Sequence, residues 1–177
     1  MDDRVEGPGA SPPLPPLEGD EWEVDEGVRA RDSVIREYGD EAAALLGITD
    51  ARYWVDHDAF LDLDDMLAAA AHRDDPLPLP LPALRGSPED VDMAERTRAR
   101  VVAGGTIQAA LAAETSDDRR SSIAGILAHD QASWWARECY LPGSQLVALA
   151  LSSDLEAVWS LGNSDRQTAR PKGRGAG

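Results

Sequence analysis

A chain of 177 residues holds one domain of ordinary size, and its 42% hydrophobic content, drawn mainly from Ala, Leu and Val, can supply a core. The formal net charge of −16 argues against nucleic acid or anionic membrane as a partner, because a phosphate-binding surface needs a clustered basic face. Cys139 is the one cysteine, which excludes an intrachain disulfide and a cysteine-based zinc site.

Residues 1–26 read as a disordered acidic, Pro-rich tail. The run Ser11-Pro12-Pro13-Leu14-Pro15-Pro16-Leu17 removes backbone donors, and Glu18, Asp20, Glu21, Glu23, Asp25 and Glu26 repel one another. The start at Met1-Asp2-Asp3 has neither the basic nor the apolar region of a signal peptide, so a cytoplasmic location is expected. Pro12 with Pro15, and Pro13 with Pro16, fit the PxxP spacing read by aromatic grooves, but such spacing is common in any Pro-rich run and a plain linker is the better reading. Trp22 is the residue of this tail that can anchor on a surface.

A helical domain is predicted over 27–162. Val28, Ile35, Tyr38, Ala42 and Leu45 share a helix face, with an interruption at Gly39 and an end at Gly47. From Ile48 to Phe60 an ordered loop or short helical turn uses Tyr53, Trp54 and Phe60 to plug the core. Asp62 followed by Asp65 starts a helix that stops near His72 and Arg73. Residues 76–87 form an extended Pro-Leu spacer, since proline at every second place is compatible with neither helix nor central strand.

Ser87-Pro88-Glu89-Asp90 is a helix start with a cap, a proline at the first position and acids in the first turn. That helix weakens at Gly104-Gly105 and resumes from Thr106 to Ala113. Ser116-Asp117-Asp118 starts another, carrying Ile123, Ile126, Leu127, Trp134 and Trp135 and broken by Pro142-Gly143. A last helix is predicted from Ser144 to Leu161, and 163–177 reads as a flexible, basic, Gly-rich tail with Arg166, Arg170, Lys172 and Arg174. The predicted fold is all-α, a small irregular helical bundle with a disordered tail at each end.

Chemical motifs are scarce. Asp56, His57 and Asp58, near Asp62, Asp64 and Asp65, supply metal-ligating types, but Phe60 and Leu61 stand where a helix-loop-helix calcium site needs a ligand and a glycine. Asp62 and Asp65 are better read as helix-start residues. A metal-dependent hydrolase using Asp56, His57, Asp58 and His129 is one alternative. His129-Asp130 lacks the geometry of an acid–base pair on a helix, where neighbours diverge by about 100°. Cys139 beside Glu138 reads as a core or boundary residue, because a nearby acid does not activate a thiol. Gly104-Gly105-Thr106 lacks the lysine of a phosphate loop and reads as a kink or close helix contact. The chain is therefore read as a non-enzyme without metal or cofactor. In Trp134-Trp135 one ring is predicted at a boundary or on the surface, where large aromatics mark interfaces, unless a segment such as the Pro-Leu spacer covers it.

Two pieces carry a family resemblance. Ile35-Arg36-Glu37-Tyr38-Gly39-Asp40 runs into Leu45-Leu46-Gly47-Ile48 and then the Asp62-Leu63 helix start with Met66 and Leu67. Near the other end stand Ala157-Val158-Trp159-Ser160-Leu161-Gly162-Asn163 and Arg170-Pro171-Lys172. Together they resemble the tail assembly chaperones of tailed bacteriophages that infect actinobacteria. The resemblance covers about a third of the chain, and the long N-terminus and the stretch from Pro76 to Cys139 depart from it. It implies a protein-binding role: keeping the tape-measure protein soluble while tail-tube subunits polymerise around it. Trp134, Trp135, Leu146, Leu149 and Trp159 are the candidate contacts with that client. A competing reading is an acidic regulatory or inhibitory protein whose carboxylates occupy the nucleic-acid groove of a basic partner.

Overall fold

In the computed structural model, residues 13–58 and 62–152 are described. Their architecture is all-α, with two isolated β-bridges and no strand among the described residues. The first helix, α1 (Glu21–Tyr38), begins inside the predicted tail. Its start is a capping box: the Glu23 amide donates to Asp20 Oδ1 at 2.8 Å and the Asp20 amide to Glu23 Oε2 at 3.0 Å. Of the acids read as mutually repulsive, Glu21 and Glu23 lie in the first turn and complement the positive end of the helix dipole. The segment before it is also held. Leu17 is buried, the Glu18 and Ala51 amides donate to Thr49 and Glu18 carbonyls, and Arg31 Nη1 donates to the Pro15 carbonyl at 2.7 Å. Leu17 is thus the anchor, and Trp22 is 60% exposed.

Gly39 ends α1 with φ +53°, and a 3-10 helix (Gly39–Leu45) follows. Gly47 lacks the left-handed conformation of a cap; the chain instead closes through the Leu46 amide on the Ala43 carbonyl. The aromatics at 53 and 54 belong to α2 (Ala51–His57). Both rings are fully buried, and each polar tip finds a carbonyl: Tyr53 Oη donates to Met66 and Trp54 Nε1 to Ile48. Phe60 lies outside the described residues. Asp62 caps α3 (Leu63–His72) by accepting from the Asp64 and Asp65 amides, as the sequence predicts. These elements enclose a first core around Val34, Leu45, Tyr53, Trp54 and Met66.

The second core lies among the remaining helices: α4 (Pro88–Gly104), α5 (Thr106–Ala113), α6 (Asp117–Leu127), α7 (Ala132–Arg137) and α8 (Gly143–Leu151). Ser87 and Ser116 cap α4 and α6 as predicted. Gly105 separates α4 from α5 at φ +79°, where an added Cβ would stand 2.4 Å from the Ala69 carbonyl oxygen. The two cores meet where α2 packs on α4 and α3 on α5.

The predicted helix from 117 through Trp135 is two helices. Residues 130–132 are drawn into a bridge with the spacer: the Arg85 amide donates to the Asp130 carbonyl at 2.7 Å and the Ala132 amide to the Arg85 carbonyl at 2.9 Å. A partner more than forty residues away breaks the helix, and local periodicity carries no trace of it. The spacer is non-helical, as predicted, and lies along the second core, with Leu77 and Leu79 half-buried and Pro76, Pro78 and Pro80 exposed. The final helix stops at Leu151, where Ser152 turns extended and its hydroxyl donates to the Leu149 carbonyl. The rest of the predicted Ser144–Leu161 helix, with Trp159, lies outside the described residues, as does the tail 163–177.

Candidate functional site

Asp56 points from α2 into the junction of the two cores and is 1% exposed. Its Oδ1 accepts from Arg100 Nη1 at 2.6 Å, and the carboxyl also accepts from the Gly143 amide. Arg100 further donates to the Cys139 and Leu141 carbonyls. Gly104 makes room for this carboxyl, since a Cβ there would stand 2.3 Å from Asp56 Oδ2. Burial pushes the Asp56 pKa up to about 7, opposed by the Arg100 charge and the Gly143 amide. Every bond it makes is accepted from a donor, so above about pH 7 the carboxylate forms an ion pair with Arg100.

His57 is buried beside it and contacts the Gly104 carbonyl through Nε2 at 3.0 Å, so that nitrogen carries the proton. Burial lowers its pKa, partly opposed by this bond and by Asp65, which favours the neutral ring. Asp58 is exposed, and His129 stacks on Trp134. Among the described residues no three His, Cys, Asp or Glu side chains form a group able to hold a metal ion. Asp56, His57, Asp58 and His129 are therefore not assembled as ligands, and the first two fasten α2 to α4 and α8.

Among the described residues a groove of about 850 Å³ opens between α6 and α8, with α7 at one end. Ile126 and Gly125 form one wall and Leu149 and Gln145 the other; Leu146, 2% exposed, is the floor. Trp134 and Leu141 line the end, with Arg137 and Glu138 paired at 3.4 Å on the rim. The Trp134 ring is 9% exposed and stacks on His129, centroids 4.1 Å apart and planes 6° from parallel. Burial lowers the His129 pKa, so the stacked ring is favoured as neutral imidazole.

Of the predicted contacts, Trp134, Leu146 and Leu149 come together in this groove. Trp135 does not: it is fully buried, meets Trp134 edge-on at 4.8 Å and donates Nε1–H to the His129 carbonyl at 3.0 Å. The rule that adjacent rings diverge holds, but the second core receives one face and the groove end the other. Both rings are consequently largely covered. Trp159 lies outside the described residues. Ile126, His129 and Leu141 are lining residues that sequence reasoning missed as contacts; only their apolar or aromatic character hinted at it, since they come from separate segments. The chain has no significant match among protein-family models, curated proteins or solved structures.

Proposed function

We propose that the chain is a non-enzymatic binding protein whose α6–α8 groove takes an apolar helix of another protein. The observation that supports this is the groove itself, open and mostly apolar, with Trp134, Leu146 and Leu149 facing one space. Each leucine of an incoming helix that leaves water there contributes about 1.5–3 kcal/mol, and an amphipathic helix presents several on one face. The client is the phage tape-measure protein, as the resemblance implies, bound in the host cytoplasm and kept soluble by a carrier of net charge −16. No helix among the described residues is long and apolar enough to cross a membrane.

The test is fluorescence anisotropy with a labelled amphipathic Leu/Ala helical peptide, at low and high salt, followed by co-expression with a tape-measure segment. Binding that survives high salt, falls at least about tenfold in Leu149→Glu and keeps the segment soluble supports the reading. Binding only to a basic, leucine-poor peptide, lost in high salt, points to the acidic inhibitor instead.

A further inference from the structure

We propose that the groove has an occupant built into the chain: the segment Leu155–Leu161, which docks between α6 and α8 and competes with the partner helix. This rests on the groove being the binding site. The helix α8 that forms one wall stops at Leu151, and Ser152, the last described residue, itself lines the groove. Twenty-five residues follow it. Leu155 is three residues on, within roughly 10 Å of extended chain, so no long linker is needed to reach the site. Leu155, Val158 and Trp159 follow the i, i+3, i+4 spacing of one helix face. They offer the apolar surface that the groove accepts. Beyond them Arg166, Arg170, Lys172 and Arg174 are drawn electrostatically to a chain whose net charge is −16.

A tethered segment acts at an effective concentration of order millimolar, so an outside helix must displace it. Residues 155–161 therefore set a threshold: weak or short apolar segments are refused, and a long client with several apolar turns displaces them.

The lone cysteine provides the probe, since half-buried Cys139 sits between groove residues Glu138 and Leu141. A nitroxide is attached there on the full-length 15N-labelled chain, and amide signals are compared before and after ascorbate reduction. Signals of 155–161 should be broadened in the oxidised protein and recover in L155S/W159S. The same variant should bind the amphipathic peptide about tenfold more tightly than the natural chain. Unbroadened signals overturn the proposal, as does broadening equally strong in L155S/W159S, or broadening seen only when labelled and 15N chains are separate molecules, which places a second copy in the groove. Peptide binding without broadening overturns the built-in occupant and leaves the groove reading intact; broadening without peptide binding to L155S/W159S overturns the groove reading and the competition with it.

Discussion

Replacing Asp56 with Ala removes the side chain on which both cores converge. Loss of one member of a buried ion pair costs about 3–5 kcal/mol. The Gly143 amide is left without its acceptor, which costs about 1–3 kcal/mol on its own. These figures overlap, because the same carboxyl serves both groups. Two features pull the total down. Arg100 retains the Cys139 and Leu141 carbonyls, and ionised Asp56 is itself held against a desolvation cost, as its raised pKa shows. The expected loss is about 3 kcal/mol, or roughly 6–12 °C in melting temperature for a domain of this size. Urea and thermal unfolding followed by circular dichroism measure it. Asp56→Asn keeps one acceptor and should lose about half as much. If Asp56→Ala unfolds within about 2 °C of the natural chain, the carboxyl does not clasp the cores and the reasoning fails.

The same residue carries a pH dependence. Its folded pKa, about 7, lies above the ordinary 3.8, so the native state holds the proton more tightly and its contribution declines as pH rises from about 4 to 7. The penalty of Asp56→Asn should accordingly shrink between pH 5 and pH 8 in urea titrations; a constant penalty refutes the shift. His57 has the opposite sign: its lowered pKa contributes stability above about pH 6.5 that is lost as pH falls. His57→Gln should thus cost less at pH 5 than at pH 8. Gly105→Ala should lower stability by more than about 1 kcal/mol, through the left-handed backbone and the clash with the Ala69 carbonyl, and an unchanged melting temperature would contradict that geometry. Trp135→Ala should cost about 3–5 kcal/mol of stability. Trp134→Ala should cost less and weaken peptide binding instead; equal effects of the two on stability would refute their division between core and groove.

Helix starts were legible because caps are local. Asp62, Ser87 and Ser116 each satisfy amides two or three residues away, and that spacing is visible in a linear chain. Asp20 with Glu23 follows the same rule, but the adjacent prolines and dense acids gave composition more weight than capping. The division of α6 from α7 was not legible, because it depends on Arg85. The groove was partly so. Apolar character marked Trp134, Leu146 and Leu149, yet which of two neighbouring tryptophans faced it depended on how α7 packs against α4. The role of Asp56 was not legible: a cluster rich in acids does not show which member is buried, and that depends on Arg100 and Gly143, 44 and 87 residues further along.

The Pro-Leu strap has a bearing on association that its role as a cover does not reveal. Extended backbone at a surface normally exposes a row of amide donors, and such a row is a template on which another chain can add a strand. Here Pro76, Pro78, Pro80 and Pro82 delete every second donor, while Leu77 and Leu79 turn toward the core. A continuous ladder cannot form along it. Among the described residues this long non-helical stretch is thereby closed to sheet growth, a useful property in a molecule whose proposed work is to handle apolar segments of other chains.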